Sequence, residues 1–200
     1  MTRNITLGFL LLAAALLTVP RAKADGIFAA TLLGSNEVPS NASTATGFIT
    51  VTLTGDSLSV LETFSGLIGG PAGAAHIHCC AGLGVTAPVA VPFIGFPNVI
   101  SGTYSNTFDL TQSSVYTSAF ITANGGTAAG AESALLAALF SGQTYANIHD
   151  ATFPGGEIRG QLIQTPEPST LMLLGMGLTA LIARRKRRTT CSPTNFECLR

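Results

Sequence analysis

The stretch Gly47-Phe48-Ile49-Thr50-Val51-Thr52-Leu53-Thr54-Gly55-Asp56-Ser57-Leu58-Ser59-Val60-Leu61-Glu62-Thr63-Phe64 carries the plainest structural signal in the chain. In its first half Ile49, Val51 and Leu53 alternate with Phe48, Thr50, Thr52 and Thr54. A strand turns successive side chains to opposite faces, so this period of two belongs to a strand with one buried face. Gly55-Asp56 reads as a tight turn, because short hairpin loops need the positive φ that glycine adopts freely. In the second half Leu58, Val60 and Glu62 oppose Ser59, Leu61 and Thr63. The segment is a β-hairpin, and it sets the class of what surrounds it.

Working outward, further strand-length runs lie between turn residues: Ile27 to Leu33, Ala74 to His78, Val89 to Phe93, Thr103 to Leu110, Tyr145 to His149 and Glu157 to Ile163. Gly/Pro-rich loops at Gly66 to Gly73 and Gly95 to Asn98 join some of them. Only Ala131 to Ser141 breaks the pattern. There Leu135, Leu136, Leu139 and Phe140 fall at helical spacing, and Gly142 ends the helix. About eight short strands with one short crossover helix predict a mainly β domain, an antiparallel sandwich or barrel.

Charge is unevenly distributed. Only 10% of the 200 residues are charged, while 46% are hydrophobic. Between Asp25 and Thr165 eight acids face a single cation, Arg159, giving a charge of −7. One cation cannot neutralise a phosphate backbone, which excludes nucleic acid as a partner. The other cations sit at the chain ends. Arg3, an apolar run from Ile5 to Val19 and the small-x-small triplet Ala22-Lys23-Ala24 read as a secretory signal, cut by signal peptidase after Ala24. The run is 15 residues long, short of the ~20 a membrane-spanning helix needs. At the other end Pro166-Glu167-Pro168 precedes an apolar stretch, Leu171 to Ala183, and the cluster Arg184-Arg185-Lys186-Arg187-Arg188. The basic cluster would hold that end on the cytoplasmic side. This divides the chain into a signal (1–24), a domain (25–165), a C-terminal sorting segment (166–188) and a tail (189–200) containing Cys191 and Cys198.

Pro-Glu-Pro, an apolar helix and an Arg cluster, in that order, resemble the PEP-CTERM sorting signal of Gram-negative bacteria. The resemblance implies transient membrane association, processing near Pro166 to Pro168 by an exosortase-type enzyme, and release or attachment outside the cell among exopolysaccharide or envelope components. Such signals usually stop after the basic cluster, so the tail is a departure. Four segments of the domain carry a second resemblance: Leu33 to Pro39, Gly73 to His78, Tyr145 to Asp150 and Pro154 to Leu162, the last containing Gly156-Glu157-Ile158-Arg159-Gly160-Gln161-Leu162. Together they resemble the CHRD domain over nearly all of residues 27 to 163. This implies an immunoglobulin-like β-barrel with no settled activity in bacterial members. Cys79-Cys80 departs from the family pattern, which has a Gly-containing turn there.

All three histidines of the chain lie in x-Ile-His segments. Residues two apart share a strand face, so His76 and His78 present neighbouring imidazoles. If the Tyr145 to Asp150 strand lies near, His149 adds a third nitrogen, with Asp150 or Glu157 as an oxygen donor. That set suits zinc or copper. The same histidines also read as groups that hydrogen-bond loop carbonyls and pack on aromatic rings. A copper-zinc dismutase site needs more imidazoles than the chain owns. Cys79 and Cys80 are open to a vicinal disulfide, an intermolecular pair or a ligand role beside His78. Arg159 reads either as an anion site or as a structural group tied to Glu157 or to loop carbonyls. No Gly-x-Ser-x-Gly elbow, catalytic carboxylate pair or Asp-rich calcium loop is found. The expectation is a secreted, non-catalytic binding or structural module, with a metalloprotein as the rival.

Overall fold

A computed structural model describes residues 25–166, 173–182 and 184. The secretory signal with Ala24, Glu167, Pro168 and Arg185 of the sorting segment, and the tail 189–200 lie outside the described residues.

The domain is mainly β: β1 (Gly26–Leu33), β2 (Thr46–Thr54), β3 (Ser57–Ser65), β4 (Ala74–Cys79), β5 (Val89–Pro92), β6 (Gly102–Asp109), β7 (Thr144–His149), β8 (Ile158–Gln161) and β9 (Ile163–Thr165). They form one antiparallel sheet in the order β5-β4-β7-β8-β1-β2-β3-β6, with β9 also on β1. The hairpin stands as its alternation predicts. Thr54 pairs with Ser57 across Gly55-Asp56, and Gly55 takes a φ of 58°. Ile49, Val51, Leu53, Leu58 and Val60 are buried, whereas Phe48 and Leu61 on the outer face are exposed. Burying the inner face drives the sheet to curl around one core, as the transfer of apolar surface from water requires. Its two end strands meet through rings instead of a ladder: Phe93, just beyond β5, stacks on Tyr104 and Phe108 of β6 at 5.1 and 6.1 Å. The result is a partly closed barrel.

Three details differ from the sequence expectation. The run Glu157 to Ile163 is two strands. Leu162 turns its N–H to Thr144 O at 2.9 Å, yet Arg159 pairs with Leu33 and Ile163 with Ala29, so the register on β1 is kept across the break. The helix, α2 (Ala128–Phe140), starts earlier than Ala131, because Thr127 caps it by accepting the Gly130 N–H. A further helix, α1 (Ser118–Ala123), is capped by Thr117 and is too short to show a period. Leu135 and Leu139 of α2 are buried, and Phe140 packs edge-on against Phe28 at 5.2 Å.

Strand β8 is set tightly against β1. A Cβ on Gly160 would stand 2.6 Å from Thr31 O and 2.8 Å from Ala30 Cβ. Gly160→Ala must therefore push β8 from β1, at a cost of about 3 kcal/mol, the upper end of overpacking. Urea unfolding measures this directly; a loss under about 0.5 kcal/mol, ordinary for a surface change, would show that the strands separate freely.

Beyond the sheet, residues 173–182 form an exposed helix, and Arg184 is exposed as well. No helix among the described residues is long and apolar enough to cross a membrane, so the expected membrane-associated helix is not seen as a span.

Candidate metal centre

Strands β4 and β7 pair antiparallel, with Ala74 opposite His149, His76 opposite Asn147 and His78 opposite Tyr145. Ala75, Ile77, Ala146 and Ile148 face the core. The strand period then places His76, His78, Tyr145, Asn147 and His149 together on the other face, and β8 adds Arg159 opposite Asn147. This second face is polar but covered, for His78, Asn147 and Arg159 are all buried.

The geometry brings the three histidines together. One nitrogen from each lies within 4.8 Å of the others. The His76 ring centroid is 5.2 Å from that of His78 and 4.8 Å from that of His149. Two of the rings are oriented by carbonyls. His78 Nδ1 donates to Ala87 O at 2.7 Å, and His149 Nδ1 donates to Pro154 O at 2.9 Å. With the proton on Nδ1, each Nε2 carries a lone pair. Both Nε2 atoms lie 3.0 Å from Asn147 Oδ1. Burial, then the neighbouring His149 and His78, hold His76 down to about 4. Burial likewise lowers His78 and His149, so all three imidazoles are neutral near pH 7 and able to ligate.

A stack braces His78. Its ring lies parallel to Tyr145 at 4.5 Å, and the Arg159 guanidinium covers the same tyrosine ring at 3.4 Å. Tyr145 Oη accepts the Ala87 N–H, and Arg159 Nη2 donates to Val85 O at 2.8 Å. The segment after β4 is therefore pinned over the histidines by its own backbone.

The carboxylates expected beside the histidines are engaged elsewhere. Asp150 Oδ1 accepts the N–H groups of Thr152 and Phe153, both at 2.8 Å. Glu157 accepts from Ser43 Oγ at 2.6 Å and from the Ile68 and Gly69 N–H groups. Burial, then a hydrogen bond with the Asp150 carboxyl, raise Glu157. These two acids fasten loops and do not join the cluster of imidazoles. Nor is Arg159 tied to Glu157. It is held by Val85 O and Tyr145, the loop-carbonyl arrangement, because Glu157 precedes β8 and turns to other donors. Cys79 and Cys80 are joined in a vicinal disulfide, which removes both as thiolate ligands.

Two groups of the site were not singled out from sequence. Asn147 shares a strand face with His149, so the same period that selected the histidines also selects it. Glu37 arrives from the loop after β1, buried, with its carboxyl near the Asn147 amide nitrogen. Its pKa is pushed up to about 7, chiefly by burial, against the pull of Arg159.

Comparison with known proteins gives two matches. The model of the CHRD domain matches residues 28–162, and that of the PEP-CTERM protein-sorting motif matches residues 164–188. No curated protein and no solved structure matches.

Proposed function

Since the chain belongs to the CHRD domain family and carries an exosortase sorting motif, which makes it a secreted or cell-envelope protein of a Gram-negative bacterium, we propose that it is a non-catalytic binding module holding one zinc or copper ion on His76, His78 and His149. The observation that carries this reading is the orientation of His78 and His149. Each is locked by an Nδ1–H bond to a backbone carbonyl, with Nε2 turned to a common point. Metal-binding histidines are set in this way, the outer nitrogen bonded to protein and the inner one free for the ion. Three imidazoles bind such an ion without thiolates. The CHRD sheet supplies the scaffold, and an exosortase-type enzyme is the processing partner.

Elemental analysis of the purified protein tests the reading. About one zinc or copper per chain is expected. A free metal concentration 100 times the dissociation constant should add about 2.7 kcal/mol to stability. Both effects should vanish in His78→Ala and in the more exposed His149→Ala. Absence of stoichiometric metal, with no stabilisation by added zinc or copper, would leave the histidines as purely structural groups and end the proposal.

A further inference from the structure

Building on the metal reading, we infer that Asn147 supplies a fourth ligand through Oδ1, and that Glu37 is the positioning residue that holds its amide. The contacts around Asn147 carry this. Two imidazole Nε2 atoms, each without a proton when the neutral ring carries its one proton on Nδ1, lie 3.0 Å from Asn147 Oδ1. An amide oxygen is also only an acceptor. In the neutral rings both Nε2 lone pairs therefore face the amide oxygen, each at 3.0 Å, an arrangement that favours a cation among them.

The alternative amide orientation would put N–H groups on the imidazoles, and Glu37 opposes it. The Glu37 carboxyl lies beside Asn147 Nδ2, close enough that a Cβ on Gly156 would touch both Glu37 Oε1 and Asn147 Nδ2. Glu37 Oε1 is buried and accepts no hydrogen bond. A carboxyl oxygen there attracts the N–H₂ end and leaves Oδ1 on the histidine side. The donor set becomes three imidazoles and one amide oxygen. Such a set suits divalent zinc or copper and disfavours copper(I), which prefers soft sulfur ligands.

The test is zinc affinity, measured by competition with a chelator on the purified protein and on variants whose folding is checked by thermal melting in the chelator alone. Asn147→Ala should weaken zinc by on the order of 100-fold, the upper range for disturbing a metal site's polar support. Asn147→Asp keeps an oxygen donor and should retain affinity. Glu37→Leu should weaken zinc by about 10-fold, with Glu37→Gln restoring it, because a glutamine side chain keeps an oxygen beside Asn147 Nδ2 to attract its N–H₂ end. Zinc bound equally well by Asn147→Ala, or as poorly by Asn147→Asp as by Asn147→Ala, overturns the inference while the three-histidine site stands. Should Asn147→Ala fail to fold, equal affinity in Glu37→Leu and Glu37→Gln overturns it instead. No zinc on the unaltered protein sinks the metal reading itself.

Discussion

Arg159→Ala is expected to destabilise the domain by about 4 kcal/mol, within the range for breaking a buried charge network. For a domain of this size that lowers the melting temperature by roughly 10–15 °C. The side chain is 2% exposed, so its removal opens a cavity as well as deleting a charge. Three partners are stranded together. Val85 O loses its donor, the Tyr145 ring loses the guanidinium at 3.4 Å, and the buried Glu37 loses its nearby cation. Arg159→Lys should recover less than half, since an ammonium has neither the planar face that stacks on Tyr145 nor the forked donors. Urea and thermal unfolding in the presence of a chelator separate this from any metal effect. A loss below about 1 kcal/mol for the alanine variant would mean that the loop closes over the histidines without it.

The opposite sign is expected at Glu62. This residue lies on the inward face of β3, opposite Ile49 and Tyr104, with 0% exposure and no hydrogen-bond partner for either carboxyl oxygen. Burial pushes its pKa up to about 8 from an ordinary 4.5. Below pH 4.5 the acid is neutral in both folded and unfolded chains. Between pH 4.5 and about 8 only the unfolded chain ionises, so stability falls by about 1.4 kcal/mol for each pH unit, and the full contribution is gone above pH 8. At pH 7 the cost is about 3 kcal/mol. Glu62→Gln, neutral throughout, should therefore be more stable than the unaltered protein by about that amount at pH 7, the gap closing as the pH is lowered to 4.5. Denaturant titrations across this range measure it. Because Glu37 and Glu157 titrate in both proteins, the difference isolates Glu62, and a gap that does not change with pH would refute the assignment.

How far these features were legible in sequence depends on the range of the interaction that creates each. The β2–β3 hairpin is local: alternate burial of Ile49, Val51 and Leu53 leaves its period in the chain, and Gly55 marks the turn. The same period places His76 and His78 on one face. Their meeting with His149 needed the β4–β7 pairing, which sequence offered only as a condition. Asn147 carries no mark in the sequence, because an amide stands out only once His76 lies opposite it. Nor does Glu37, because a loop far away in sequence delivers it. Asp150 and Glu157, expected as oxygen donors, are engaged by loop donors for a related reason. Both are adjacent in sequence to the right strands, but free backbone N–H groups at Thr152, Phe153, Ile68 and Gly69 draw them away. Loop N–H groups leave no mark in a side-chain pattern. Glu62 was visible in the alternation, on the same face as Leu58 and Val60, and the structure buries it there.

The pairing of Ile27 with Thr165 has a mechanical consequence. Strand β1 opens the domain and β9 closes it, so the chain enters and leaves the sheet at one corner, on neighbouring antiparallel strands. Tension between the two ends loads the Ile27–Thr165 pair first, then Phe28–Gln164, then Ala29–Ile163, one after another. The contacts are unzipped in sequence instead of being sheared together, so the force at this corner never has to exceed what one pair resists at a time. Only once those pairs are lost does the pull reach Leu33 and Arg159.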